Sequence, residues 1–263
     1  MPAEGAIQVM IEAPVKEPLR FQPPAGVRVQ AVERTFRSRR GELTALAGMS
    51  LRARPGEVVA VVGPSGCGKT TLLELICGLQ HPDAGTVEAD PAALMPQRDL
   101  LLPWLTAIDN AALAVRARGM PRDAARAAAL PWLARFDLAE FERVRPAELS
   151  GGMRQRVSFL RTMLAGKPVL ALDEPFAALD ALTRMQMRGW LEHVLEVEPR
   201  TVVLVTHDVE EAVVLGDRVV VMSPRPGRAV AELEIGLARP RRATDPDVVA
   251  LRARTLEALG VSG

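Results

Sequence analysis

Two hydrophobic rhythms alternate along the chain. Short runs rich in β-branched residues, VRVQAV at 27–32, EVVAVVG at 57–63, PVLALDEP at 168–175, TVVLVTHD at 201–208 and DRVVVMS at 217–223, are separated by longer segments with apolar residues at helical spacing. Three of the runs, 57–63, 168–175 and 201–208, are almost continuously apolar, as strands covered on both faces are. Such strands alternating with helices predict an α/β domain with a largely parallel sheet. The stretch from about 98 to 165 has no strong strand pattern and predicts a helical insertion. Pro131 is expected to break or kink its middle helix, because proline lacks the amide N–H and crowds the preceding turn. No internal repeat at solenoid periods is visible.

The two ends differ from this pattern. Residues 1 to about 26, with Pro at 2, 14, 18, 23 and 24, are expected to form a poorly ordered extension. A main domain would then span 27–235. From about Arg225 the sequence predicts a strand and then an Arg-rich amphipathic helix in a tail at 236–263, too short for a separate ligand-sensing domain. The charge run there is most simply a solvated face, with docking or regulation as the other reading.

Composition narrows the function classes. With 263 residues, 48% of them hydrophobic, the chain can bury a real core. Its 33 basic and 32 acidic side chains leave a net charge of +1, so no global field favours nucleic acid. The two cysteines, Cys67 and Cys77, form neither a disulfide framework nor a metal cluster, which suits a reducing compartment. No apolar run approaches the roughly 18 to 20 residues needed to cross a bilayer, and the N-terminus lacks a signal-peptide pattern.

Candidate chemistry centres on GPSGCGKTT, residues Gly63 to Thr71, set between the run at 57–63 and the apolar LLELICGL. Gly63, Gly68, Lys69 and Thr70 satisfy the P-loop pattern, in the required strand–loop–helix setting. Glycines let the backbone approach phosphate oxygens, and the helix start adds a partial positive charge. The loop residues Gly63, Pro64, Ser65, Gly66, Cys67, Gly68, Lys69, Thr70 and Thr71 are therefore candidates for holding the phosphates of a nucleotide triphosphate. Lys69 would reach the β- and γ-phosphates, and the Thr70 hydroxyl would ligate Mg²⁺. A plain Gly-rich turn is the alternative. Asp173 and Glu174 end the buried run at 168–175. Asp173 would orient the Mg²⁺ shell, and Glu174 would polarise an attacking water. His207 closes the run at 201–208 and should emerge on the same sheet edge, to orient water and phosphate beside Glu174. Finally, Ser150 in LSGGMRQR is a good N-cap for a following helix, and Gly151 and Gly152 beside it make a second anion site. One γ-phosphate cannot easily use two such helix starts in a single chain, whereas two subunits arranged head to tail could.

This ordered set resembles the ATP-binding subunits of ABC transporters over roughly residues 27 to 225. Gly63–Thr71 matches Walker A, Leu149–Met153 the signature, Asp173 and Glu174 Walker B, and His207 the switch histidine. The resemblance further implies that Gln97 is the Q-loop residue, near the γ-phosphate and Mg²⁺, and that Asp180 is the D-loop aspartate at the nucleotide. Phe36 falls where the family stacks an aromatic on adenine; a core aromatic is the other reading. Met153 replaces the more common Gln of the signature. With LLPW after Gln97 and DEPFAALDALTR, it resembles the nitrate/sulfonate/taurine importer branch, which also includes thiamine-precursor systems.

The implied fold is a P-loop NTPase with a RecA-like core, an antiparallel β subdomain, and a helical subdomain inserted after the Q-loop. Implied partners are a second copy of the chain, membrane permease subunits and, indirectly, a solute-binding protein. The implied place is the cytoplasmic face of the membrane. Trp104 is a candidate contact for permease helices, with core burial as the alternative. A non-transport ABC ATPase of DNA repair, chromosome structure or translation is the second class, but its usual zinc cysteines, long coiled coils or paired cassettes are not visible in the sequence. A P-loop kinase is a third, opposed by the signature and the Asp-Glu pair.

Overall fold

The computed structural model describes residues 22–39, 41–177 and 179–260. The expected extension at 1 to about 26 lies mostly outside them. Contacts along the chain divide it into two compact units, Asp99–Gly166 and the combination of Phe21–Arg98 with Lys167–Gly263.

In the larger unit, β3 (Val58–Val62), β6 (Val169–Asp173) and β7 (Thr201–Thr206) are buried at every position. Valine dominates them because a branched Cβ suits the pleated surface and packs on both faces. They join β5 (Ala92–Met95), β8 (Arg218–Met222) and β9 (Ala229–Glu234) in one sheet of order β5-β6-β7-β3-β8-β9. Every pairing is parallel except β8 with β9. β1 (Val27–Ser38), β2 (Gly41–Ala53) and β4 (Ala84–Ala89) form a separate antiparallel sheet, with β1 in the middle. Helix α1 (Lys69–Ile76) buries Leu72, Leu73, Leu75 and Ile76 in a core shared with Val59, Val61, Ala171, Val203 and Val205.

Asp99–Gly166 holds α2 (Ala107–Ala111), α3 (Leu113–Ala117), α4 (Arg122–Arg135) and α5 (Gly151–Met163). Helix α4 runs unbroken through Pro131, so the expected break does not occur there. Proline leaves the Ala127 carbonyl without its helical N–H. Ala127 and Pro131 are both exposed, while Ala129, Trp132 and Leu133 are buried. Water can thus satisfy the orphaned carbonyl, and the apolar face holds the helix together. Asp109 is almost wholly buried in this unit and is gripped by Arg126 and Arg122, at 2.7 and 3.0 Å. Hydrogen bonds from Arg126 above all, opposing the effect of burial, hold its carboxyl well below the usual range.

The larger unit also holds α6 (Ala181–Val197) and α7 (Val209–Leu215), and beyond β9 it closes with α8 (Pro246–Ala258). Helix α8 packs on α7. The charge run is not simply a solvated face. Arg241 is buried, at 7% exposure, and donates to the carbonyls of Val213, Val214, Gly216, Ile235 and Leu237. Val213, Val214 and Gly216 lie at the end of α7, and Ile235 and Leu237 just beyond β9. A delocalised guanidinium with five N–H donors serves several at once. Arg241→Ala is therefore expected to destabilise the unit by about 3 kcal/mol, because it strands several buried acceptors. A thermal melt that shifts by less than a degree would show that water replaces the guanidinium.

Candidate functional site

Strand pairing brings the candidate residues to one edge. Val62 is in register with Thr206, and Asp173 with Val205. Gly63, Glu174 and His207 therefore leave neighbouring parallel strands at their carboxyl ends, where open α/β sheets bind ligands. Glu174 has φ +47°, a left-handed backbone that non-glycine residues rarely adopt. Its N–H donates to Val205 O at 2.8 Å, which fixes this turn against β7. Strain of this kind needs surrounding structure to sustain it.

The loop at Gly63–Thr71 is wrapped around a lysine. Lys69 Nζ donates to Gly63 O at 2.7 Å and to Pro64 O at 3.1 Å, although the residue is buried at 7% exposure. Gly68 has φ +104°, and a Cβ there would meet Leu46 Cδ2 at 2.8 Å and Ala45 O at 2.9 Å. Glycine is thus needed at 68 for both conformation and space. Cys67 is buried, and burial raises its thiol pKa, so it behaves as a small core residue rather than a reactive one.

Thr70 donates its hydroxyl to Asp173 Oδ2 at 2.7 Å. Burial pushes the Asp173 carboxyl pKa up, against the Thr70 hydrogen bond that lowers it. Next to it, Glu174 Oε2 receives Gln97 Nε2 at 3.0 Å and lies 3.1 Å from His207 Nδ1. Among the described residues Glu174 Oε1 accepts no hydrogen bond. A cleft of about 350 Å³ opens here. Phe36, Leu43 and Ala45 line it from β1 and β2, the loop contributes Ser65, Gly66, Gly68, Lys69, Thr70 and Thr71, and Gln97, Asp173, Glu174 and Arg225 complete the lining. Phe36 is half-buried and carries the Arg34 guanidinium 5.0 Å from its ring centre. It is a wall of the cleft, not a fully buried core aromatic.

The remaining candidates are not among the residues lining the cleft. Asp180 is the N-cap of α6, with its carboxylate taking Thr183 N–H at 3.0 Å and the Thr183 hydroxyl at 2.7 Å. Those bonds lower its pKa, and it does not line the cleft. Ser150 caps α5 by accepting the Met153 N–H at 3.2 Å. Gly151 and Gly152 follow it at the first turn of α5, in the Asp99–Gly166 unit. Trp104, in the same unit, is 67% exposed, so the core-burial reading does not hold. Leu43, Ala45 and Arg225 also line the cleft, and none of them belongs to a recognisable motif. Arg225 carried one usable signal: it follows the carboxyl end of a parallel strand.

Comparisons with known proteins agree on one family. Residues 46–177 match the model of the ABC transporter family. The taurine import ATP-binding protein TauB of Burkholderia pseudomallei is 45% identical over 219 residues, 80% of this chain and 84% of that protein. An aliphatic sulfonates import ATP-binding protein of Rhodococcus jostii is 44% identical over 83% of this chain and 88% of its own length. Among solved structures, a dimeric bacterial ABC transporter cassette superposes with a TM-score of 0.75 at 29% identity, over 81% of this chain and 100% of that one. A post-hydrolysis dimer bound to ADP and Pi gives 0.74 at 30% identity, with the same coverage. The chain thus belongs to the ABC transporter family, among the ATP-binding subunits of its nitrate/sulfonate/taurine importer branch.

Proposed function

We propose that this subunit binds ATP with Mg²⁺ in the cleft, hydrolyses it, and so energises import of a small organic anion of the sulfonate class through separate membrane subunits. The observation that carries the reading is the convergence of Gln97 and His207 on one oxygen of Glu174, beside the Thr70–Asp173 pair. With Oε2 occupied, Oε1 is left to take a proton from a water attacking the γ-phosphate. His207, whose Nδ1 lies 3.1 Å from Glu174 Oε2, is placed to orient water and phosphate beside that carboxylate.

The residues fit the implied ligands. The hydroxyl of Thr70, the Asp173 carboxylate and the Gln97 amide are hard oxygen donors, few enough for a Mg²⁺ completed by phosphate and water. Bound there, the ion would neutralise phosphate charge as the bond to the γ-phosphate breaks. Lys69 would exchange its carbonyl partners for β- and γ-phosphate oxygens, and Phe36 would offer its ring to adenine. Ser150, Gly151 and Gly152 of a second copy would complete each site, with Asp180 beside that junction.

Among the described residues no helix is long and apolar enough to cross a membrane. In this reading the solute path belongs to permease subunits, and the chain docks on their cytoplasmic side, with Trp104 as one contact. A solute-binding protein would deliver the anion. The test is uptake of labelled taurine or an alkanesulfonate into proteoliposomes holding the permease subunits, this chain and the binding protein. ATP-dependent uptake that vanishes with Lys69→Ala is expected. Sulfonate uptake that proceeds without this chain would defeat the energising role, and ATPase activity with no uptake of any solute would favour the non-transport class.

A further inference from the structure

Arg225 has no role in the reading so far, yet its surroundings are built with care. It follows β8, which pairs in parallel with β3, so its loop rises on the edge that carries the Gly63–Thr71 loop. That loop is held at both sides of Arg225. Ser223 accepts the Arg228 N–H at 3.1 Å and lies within hydrogen-bonding distance of Pro226 O, at 3.0 Å. Gly227 exchanges backbone hydrogen bonds with β2, donating to Ala45 O at 2.8 Å and accepting from Ala47 N at 3.2 Å. A side chain at 227 would collide with Cys67 O and Met222 Cε, so the loop sits directly on the phosphate-loop backbone.

The guanidinium itself lies over Gly66: a Cβ on that glycine would be 2.9 Å from Arg225 Nη2. It also lines the cleft. Among the described residues it makes no hydrogen bond and no ion pair, although Asp173 and Glu174 line the same cleft. Lys69, the other cation there, is already turned onto carbonyls. A fixed loop that presents an unpaired planar cation at a bare glycine backbone is suited to an anion with several oxygens. The two acids and two bases of the cleft cancel one another, so an incoming polyphosphate gains from a cation that no acid has claimed.

We propose that Arg225 is a nucleotide-binding residue whose guanidinium pairs with the polyphosphate of ATP held by the Gly63–Thr71 loop. This rests on the nucleotide reading of the cleft. The test is calorimetric titration of MgATP into the full chain, in a Glu174→Gln background that suppresses turnover, with Arg, Lys, Ala or Glu at position 225. Affinity is expected to follow charge. Arg225→Lys stays within a few fold, Arg225→Ala loses about tenfold, and Arg225→Glu loses more. The gap between Arg and Ala should narrow at high salt, since the pair is exposed. Arg225 is exposed and its loop is tied by neighbouring residues, so unchanged thermal melts are expected to confirm that all four proteins fold. Equal affinities, equal losses for Ala and Glu, or a loss that salt does not reduce would each overturn the inference alone. Failure of the parent protein to bind MgATP would overturn the nucleotide reading as well.

Discussion

Glu174→Gln lowers the turnover number for ATP hydrolysis by about a thousandfold and leaves ATP affinity nearly unchanged. The amide has the shape of the carboxylate and can still accept the Gln97 N–H that reaches Oε2 at 3.0 Å. It cannot take a proton from water, so the attacking nucleophile stays weak. Binding depends instead on the loop around Lys69 and on the rest of the cleft lining, which the substitution leaves unchanged. ATP should therefore persist in the site and hold two copies together, visible as a dimer by size-exclusion chromatography with ATP and a monomer without it. Phosphate release within tenfold of the wild-type rate would remove Glu174 from the role of base. Loss of both binding and turnover would mean that the left-handed turn at Glu174, φ +47°, depends on the charge of its side chain.

Lys69→Ala and Ser150→Arg should each abolish ATPase activity alone, and activity should return when the two are mixed. Lys69 is buried beside the carbonyls of Gly63 and Pro64; without it, phosphate enters the loop lacking its charge partner. Ser150 is an exposed helix cap. Arginine there costs the cap about 1 kcal/mol, so the chain still folds and binds ATP at its own loop, but the side chain blocks an approaching copy. In a head-to-tail dimer of the two variants, both defects fall on one composite site and the other site is intact. Random pairing makes half the dimers mixed, each with one working site of two, so about a quarter of the wild-type rate is expected from twofold assembly. A signature acting within its own chain gives no recovery. A linked wild-type/double-mutant dimer, carrying one defect at each site, separates that result from a requirement for two working sites.

How much of this could be read from residues alone depends on how each one signals its surroundings. The buried strands announce themselves because valine-rich runs without polar breaks have few alternatives in an α/β chain. Their ends then place Gly63, Glu174 and His207 together without further information, because parallel strands share one carboxyl edge. β2, β4 and β5 gave no such signal. AGTVEA in β4 is short and largely exposed, AALM in β5 is only four residues, and β2 mixes buried and exposed positions around Gly48. Pairing across the sheet, not local preference, makes them strands. Pro131 misled for a similar reason: the exposure of Ala127, which decides whether a lost helical hydrogen bond matters, is a tertiary fact. Arg241 looks in sequence like a solvent-facing arginine, and Arg225 is set apart only by following the end of a strand. One is buried among carbonyls up to 28 residues away in the chain, and the other lies over a glycine far upstream.

The strand order has a consequence for how the chain is made. β3 is the strand between β7 and β8, and Val58 meets its partner Val202 only 144 positions later. At roughly 5–20 residues per second of synthesis, the wait is on the order of 10 s or more. Through that interval VVAVV has neither neighbour, and an unpaired apolar strand is a template for association with other chains. The Asp99–Gly166 unit, by contrast, emerges whole within that window and is built from local helical contacts, which form quickly. A ribosome-bound chain halted before residue 201 should therefore carry ordered helices beside a sticky, unfinished sheet, and that intermediate is where a chaperone would be most needed.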